Sequence, residues 1–314
     1  MKKLSAIAAG LLVSGVVSAA PLTLQPGPLY FQFNNVEQLN TNNGIVVPGG
    51  SIDVNGDGIL DTPATEGNWG VFNISSIQSG AVATPNQDIS GGSTYFADDG
   101  LSDIFGQGQV SGIFYGLTLT SGTTATGGWI DLYWEDAADD DITNADLSGA
   151  NFPGRTAANQ AGIFTDGTFL ARLKFDTGII SGDNTTTLVS DVDLTTLTGS
   201  GLADSFGSVV DINNDGVINS LDGEWAGVLN SDWFFVDTNG NGIFGEDGET
   251  RDLRFSTFFN LLPNTSAWAD PANGTVALRS NDPGRAFVVP EPGSLALLGL
   301  GVLGLAGARR RKSA

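Results

Sequence analysis

The sequence predicts an all-β protein: a β-sandwich or jelly-roll-like body, flanked by a signal helix at the start and a hydrophobic helix at the end. Three observations support this prediction. Apolar and polar residues alternate with a period of two through the middle of the chain, as in half-buried strands. Clusters of Gly, Asn, Asp, Ser and Thr separate these stretches, as at turns. Outside the two termini, no window keeps a capped apolar period of 3.6 residues.

Residues 1–19 have the pattern of a secretory signal peptide. Lys2 and Lys3 precede a short apolar run, and Val17-Ser18-Ala19 supplies the small residues that a signal peptidase requires. Cleavage after Ala19 is expected, because cleavage one residue later would place Pro21 at the new N-terminus, where it would obstruct the peptidase. The exported body is therefore expected to cover residues 20–285.

Alternation is clearest in residues 129–134 and 169–176. The residues expected to point inward are Ile130, Leu132 and Trp134 in the first stretch, and Phe169, Leu173 and Phe175 in the second. Further strands are predicted at 111–120, 231–237, 251–261 and 275–278. A weak shift in composition near 198–205 could mark a sub-boundary, but strands resume after it, and a single domain is the preferred interpretation.

Composition excludes several classes of site. The chain contains neither Cys nor His, so it has no disulfides, no zinc site of the usual kind and no Ser-His-Asp or Cys-His catalysis. All 35 acidic residues lie between Glu37 and Glu291, together with only seven basic ones. Such a charge disfavours a nucleic-acid partner. Oxygen-ligand cations and carboxylate chemistry remain.

The strongest internal motif covers residues 211–222. Oxygen-bearing side chains occupy positions 1, 3, 5, 9 and 12, and Gly216 at position 6 permits a sharp turn, which is the spacing of a 12-residue calcium loop. The predicted ligands are the side chains of Asp211, Asn213, Asp215, Asn219 and Asp222 and the carbonyl of Val217.

Two weaker copies of this spacing occur elsewhere in the chain. Together with residues 211–222, they predict that the protein binds one to three Ca²⁺ ions. The ligands of the first would be Asp53, Asn55, Asp57, Asp61 and the Ile59 carbonyl, with Ala64 at position 12. Those of the second would be Asp237, Asn239, Asn241 and the Ile243 carbonyl, with closure by Glu246, Asp247 or Glu249. The alternative for each loop is an ion-free turn, because Asn-Gly and Asp-Gly favour hairpins without a metal.

Residues 211–222 resemble the calcium loop of dockerin modules, which often carry Asp at the last position. Dockerins pair two such loops with a helix after each, whereas residues 224–227 form a poor helix and 233–236 favour a strand. Cohesin docking is therefore not expected. Strand-borne loops of this kind also resemble the calcium loops of bacterial surface β-domains.

The tail, residues 286–314, has three parts in a fixed order. Pro290, Glu291 and Pro292 precede an apolar helix predicted at 293–308, and a basic cluster follows that includes Arg309, Arg310 and Arg311. A helix of this length is about 24 Å long, which falls short of the roughly 30 Å hydrocarbon core and favours a processing signal over a permanent anchor. This order resembles the PEP-CTERM sorting domain.

The resemblance implies recognition by an exosortase-type membrane protease-transpeptidase of an exopolysaccharide-producing Gram-negative bacterium. It also implies transient contact with the inner membrane through the C-terminal helix, then release to the cell surface or extracellular matrix. Association with exopolysaccharide, as in biofilm or floc, is expected on the same ground.

Two rival functions rest on other residues. The acid-rich segments 98–103 and 135–141 could supply a carboxylate pair for a glycoside hydrolase. Six tryptophans, at positions 69, 129, 134, 225, 233 and 268, could form the sugar platform of a carbohydrate-binding module, although neighbouring apolar alternation favours a place in the core. The preferred interpretation is a non-enzymatic, calcium-stabilised surface protein.

Overall fold

The computed structural model describes residues 20–40, 46–47, 64–65, 68–81, 88–98, 108–136, 142, 147, 163–196, 199–246 and 248–290. These residues form mainly strands. In chain order, the strands are β1 (Gly27–Asn40), β2 (Val46–Val47), β3 (Ala64–Thr65), β4 (Asn68–Ser79), β5 (Thr94–Ala97), β6 (Gln109–Leu119), β7 (Thr124–Glu135), β8 (Thr168–Asp176), β9 (Leu188–Ser190), β10 (Ser200–Val209), β11 (Phe234–Phe235), β12 (Thr250–Arg251), β13 (Leu253–Leu261) and β14 (Thr275–Val288). Three short helical elements accompany them, namely the 3-10 turns η1 (Ser220–Asp222) and η2 (Pro271–Asn273) and the helix α1 (Ala226–Leu229).

Eight strands form one closed, barrel-like sheet. The order is β1, β14, β13, β10, β8, β7, β6 and β4, and the pairing of β4 with β1 closes the ring. Every pairing in the ring is antiparallel. Closure satisfies the backbone groups that an open sheet would leave at its two edges.

Two shorter strands continue the sheet where a longer one ends. Strand β5 pairs with β4 beyond the end of β6, and β9 pairs with both β7 and β10 beyond the end of β8. Two small ladders lie outside the main sheet, β2 with β3 and β11 with β12.

The largest apolar cluster fills the inside of the ring. Its members come from strands all around the sheet and include Phe31, Phe33, Phe72, Leu132, Leu173 and Phe255. A second cluster lies on the outer face of β1, β4 and β6, around Trp69 and Trp268, whose ring centroids are 5.6 Å apart. Both faces of this part of the sheet are therefore buried.

The all-β prediction is confirmed, and the inward face of β7 is confirmed in detail. Ile130, Leu132 and Trp134 are all buried. The inward position predicted for Phe169 is wrong. Leu132 on β7 pairs with Ala171 on β8, but the next residue, Tyr133, pairs with Phe169. The register therefore shifts by one residue, and Phe169 lies on the same face of the sheet as Tyr133.

The sandwich or jelly-roll prediction is not confirmed, because the main strands join in a single closed sheet instead of two packed ones. Alternation indicates that a strand has one buried face, but it carries no information about the partner of each edge. The segments predicted at 231–237 and 275–278 differ in length from the observed β11 and β14. Residues 200–209, at the composition shift, form the full length of β10 in the ring.

Candidate cation loops

The loop of residues 211–222 connects β10 to the short helix α1, and its backbone has the turns that its sequence predicts. Asn214 and Gly216 have positive φ angles of 55° and 85°. No atom lies within 4 Å of a Cβ placed on Gly216, so its backbone conformation, and not crowding, requires glycine there.

A series of side-chain to backbone hydrogen bonds holds this loop. Asp211 Oδ2 accepts the amide of Gly216 at 2.7 Å, so position 1 is tied to position 6. Asn213 Oδ1 accepts the amide of Asp215 at 2.9 Å, and Asp215 Oδ1 accepts the amide of Val217 at 2.8 Å. The side chains at positions 1, 3 and 5 therefore each hold a turn of the loop.

Asp222 closes the loop from its last position. Its Oδ1 accepts the amides of Ile212 and Asn213 at 2.9 and 3.2 Å, and its Oδ2 accepts the amide of Asn219 at 3.0 Å. The side chain is 1% exposed. The predicted closing residue is therefore the one that joins the two ends of the loop. Asp211 Oδ1 is buried and has no hydrogen-bond partner among the described residues.

The loop that begins at Asp237 repeats this arrangement. Asp237 Oδ2 accepts the amide of Gly242, Asn239 Oδ1 that of Asn241, and Asn241 Oδ1 that of Ile243, at 3.1, 2.9 and 2.7 Å. Positions 4 and 6 again have positive φ, 74° at Gly240 and 82° at Gly242. Two loops of different sequence thus have the same backbone form.

Glu249 closes the second loop one residue later than Asp222 closes the first. Its Oε1 accepts the amides of Thr238 and Asn239 at 2.9 and 3.1 Å, which are positions 2 and 3, the same two that Asp222 Oδ1 binds. Glu249 is 4% exposed, and its Oε2 is buried without a partner among the described residues. Glu246 instead accepts the side-chain amides of Asn239 and Asn241 through Oε2.

The second loop is attached to the turn that follows β8. Ser181 Oγ donates to Asp237 Oδ2 at 2.7 Å, and the Gly182 amide donates to the Asp237 carbonyl at 2.9 Å. The hydroxyl of Ser181 and the loop amides hold the pKa of Asp237 below its usual 3.8. The carboxylate therefore stays ionised at neutral pH, as a cation ligand must.

Asp252 joins the chain segments that precede both loops. Its Oδ2 accepts the amide of Val209, just before the first loop, at 2.9 Å. Its Oδ1 accepts the amides of Ser231 and Asp232, before β11, at 2.7 and 2.9 Å. Burial raises the pKa of Asp252 above 3.8 despite these three donors. Sequence spacing gave no indication of this role, nor of the role of Ser181, because both residues act across long separations in the chain.

Oxygen atoms dominate both loops, and such donors suit a hard cation such as Ca²⁺. In the part of the chain that the structure describes, no group of three or more Asp, Glu, His or Cys side chains converges as a metal cluster. A calcium ion would therefore rely on Asn amide oxygens and backbone carbonyls as well as on carboxylates. The third candidate loop, with Asp53, Asn55, Asp57, Ile59 and Asp61, lies outside the described residues.

Of the acid-rich segments weighed for hydrolysis, residues 99–103 and 137–141 lie outside the described residues, and the described Asp98 and Glu135 have structural contacts. Asp98 accepts from the side-chain amides of Asn73 and Gln109 at 2.9 and 2.6 Å, and Glu135 accepts from the Ser111 hydroxyl at 2.7 Å. Five of the six tryptophans are buried, which favours their place in the core over a sugar platform.

Residues 288–312 match the PEP-CTERM protein-sorting motif, which confirms the resemblance seen in the tail. The motif indicates an exported protein that exosortase, a membrane enzyme, processes after transient anchoring in the membrane on the way to the cell surface. No curated protein and no solved structure shows significant similarity to the chain.

The described residues include only the beginning of the sorting motif. Val288 ends β14, and the Val289 amide donates to the Val228 carbonyl at 2.9 Å, one residue before Pro290. Several predicted features lie outside the described residues. They are Glu291, Pro292, the arginine cluster, the predicted helix at 293–308 and the predicted signal peptide with Ala19. Within the described ones, no helix has the length and apolarity needed to cross a membrane.

Proposed function

We propose that this chain is a non-enzymatic, calcium-stabilised β-domain that reaches the cell surface and becomes part of exopolysaccharide-rich extracellular material. The observation that carries the calcium proposal is the shared form of the two loops. Positions 1, 3 and 5 have equivalent hydrogen bonds in both, and a buried acid bridges positions 2 and 3.

The unpartnered oxygens support a bound cation over an ion-free turn. Asp211 Oδ1 and Glu249 Oε2 are buried without a hydrogen-bond partner among the described residues. A buried carboxylate oxygen without a partner is unfavourable, and a cation would satisfy it. In the first loop the ligands would be the carbonyl of Val217 and the side chains of Asp211, Asn213, Asp215, Asn219 and Asp222.

In the second loop the corresponding ligands would be Asp237, Asn239, Asn241, Glu249 and the Ile243 carbonyl. A bound ion would supply charge compensation and would fix loops that neither a helix nor a disulfide supports. With no His or Cys in the chain, the sequence offers no common nucleophile–base pair, and the described acids at 98 and 135 accept hydrogen bonds from neighbouring side chains. These contacts favour a structural role for them.

Thermal unfolding of the full chain with and without calcium tests the proposal. At a free calcium concentration twentyfold above Kd, each occupied loop would add about 1.8 kcal/mol to the free energy of unfolding. Chelation should therefore lower Tm by several degrees, and added calcium should restore it. A Tm that responds to neither would rule out calcium stabilisation.

Two matched variants test whether each loop contributes to the calcium response. Asp211→Asn and Glu249→Gln remove one unpartnered charge each and keep the side-chain shape, so each should reduce the calcium-induced rise in Tm by roughly half if both loops contribute equally. Asp193→Asn is the control, because Asp193 is exposed and its carboxylate accepts hydrogen bonds from the adjacent Thr195 and Thr196, far from either loop in sequence. Equal calcium responses in all three variants would place the ion elsewhere.

The matrix proposal rests on the sorting motif and on the strongly acidic, Cys-free body. Deletion of the gene should alter the composition or cohesion of the extracellular material, and the tagged protein should fractionate with that material. Recovery of the mature protein only in the culture medium, with unchanged matrix, would contradict this part of the proposal and leave the calcium result standing.

A further inference from the structure

A cavity of about 90 Å³ lies inside the closed sheet. Its wall is formed mainly by apolar side chains from strands around the ring, among them Phe33, Phe72, Phe114, Phe255, Phe259 and Leu278. A dry apolar cavity of roughly 150 Å³ in another protein binds benzene, so this smaller space suits a molecule no larger than benzene.

One acidic side chain, Glu37, faces this space from β1. Its neighbours across the two adjoining strands are Leu278 on β14 and Gly70 on β4, neither of which carries a charge. Glu37 keeps some accessible surface although it lies inside the protein, as expected for a side chain that borders a cavity. No other side chain in the wall is titratable, so no described cation balances Glu37 there.

Only a weak hydrogen bond supports the ionised form of Glu37. Ser280 Oγ donates to Asn35 Oδ1 at 2.6 Å and lies 3.3 Å from Glu37 Oε1. A hydroxyl has one proton, and the shorter contact to Asn35 competes for it, so Ser280 stabilises the Glu37 carboxylate only weakly. A protonated Glu37 would donate to the Ser280 oxygen or into the cavity. Burial raises the pKa of Glu37 from 4.5 to about 7, and Ser280 opposes that rise only in part.

We propose that this cavity binds a small, uncharged, mainly apolar molecule with one hydrogen-bond acceptor, oriented by Glu37. The ring of aromatic and aliphatic side chains would hold the apolar part, and the carboxylic acid would donate to the acceptor. Water is a poor occupant of most of this space, because a buried water needs two to four polar partners and most of the wall is apolar.

Cyclopentanone and cyclopentane form a matched pair of probes, equal in ring size and different in one acceptor oxygen. Binding to the full chain is measured by saturation-transfer NMR and titration. Cyclopentanone should bind more tightly than cyclopentane at pH 5.5. Because only the protonated acid donates, cyclopentanone affinity should fall about thirtyfold between pH 5.5 and 8.5.

Two variants separate this site from surface binding. Ala203→Leu adds volume to the cavity wall and should abolish binding, and its Tm shows whether it is folded. Glu37→Gln keeps a donor that does not titrate, so its cyclopentanone affinity should lose the pH dependence. Binding that survives Ala203→Leu in a folded protein, or no binding of either probe at pH 5.5, would overturn the proposal. Equal affinity for the two probes would exclude the role of Glu37.

Discussion

Gly216 and Gly242 occupy position 6 of the two loops, each with a left-handed backbone and open space around the α-carbon. Alanine at either position should destabilise the protein by about 1–2 kcal/mol, because a Cβ disfavours this conformation even without a clash. Chemical denaturation with calcium present measures the difference. Gly199→Ala is the matched control, since Gly199 is equally uncrowded but lacks a positive φ, and it should be neutral or slightly stabilising.

Glu37 should make the stability of the protein depend on pH. The folded protein keeps the proton up to about pH 7, whereas the unfolded chain releases it near pH 4.5. Between those values the folded state binds more protons, so the free energy of unfolding falls as pH rises, by up to about 3 kcal/mol. Glu37→Gln should remove this loss and raise Tm relative to the parent above pH 7. Parallel pH profiles of the two proteins would contradict the assignment.

At the level of elements, β7 and β8 are joined by a buried ion pair. Arg172 donates to Asp131 through two nitrogens, each at 2.8 Å, and both side chains are mostly buried. Asp131→Ala would remove the carboxylate that balances the buried Arg172 guanidinium and should destabilise the protein by about 3–5 kcal/mol. The control lies on the same strand. Lys174 is 46% exposed in its pair with Asp176, so Lys174→Ala should change stability by less than about 1 kcal/mol.

The buried face of β7 could be predicted from sequence because alternation over residues 129–134 is unbroken. On the neighbouring strand β8, alternation predicted the wrong face for Phe169. A register shift there moves Phe169 to the other face of the sheet, and the amino-acid composition does not indicate such a shift. Pairing of β1 with β14 joins residues at nearly opposite ends of the chain. Local patterns contain no information about such partners, which is why the closed sheet was not predicted.

The closing acid of the first candidate loop could be predicted from sequence because Asp222 stands at the expected position 12. The start of the second candidate loop could be predicted from sequence, but its closing acid could not be assigned. Glu249 stands at position 13, whereas the calcium-loop spacing specifies position 12. The structure distinguishes Glu249 from Glu246 by its contacts with the amides at positions 2 and 3. The sequence alone leaves Glu246, Asp247 and Glu249 as alternatives, because all three stand close to position 12.

At the scale of the whole molecule, the sorting motif begins within the fold. Val289 is hydrogen-bonded to Val228, so Glu291 is two residues from an ordered contact and can extend at most about 7 Å from it. The folded body should therefore hinder access by a membrane enzyme. Ten Gly/Ser residues inserted between Val289 and Pro290 should speed processing in the native host, as measured by pulse-chase labelling. The same insertion at Gly122, in the exposed β6–β7 turn, should not, and equal rates for all three proteins would refute this expectation.

The full-length ladder between β1 and β14 has a mechanical consequence. Gly27 pairs with Val288, so the chain enters and leaves the sheet at the same end. Tension applied between these two points would open the ladder one residue pair at a time, at low force. Tension between Val288 and the opposite end of the ring would load many hydrogen bonds of β14 together, in shear, and β14 is paired on both sides. A domain held by its C-terminal end and pulled by material bound at its far end would resist strongly, whereas one pulled by its two ends would yield.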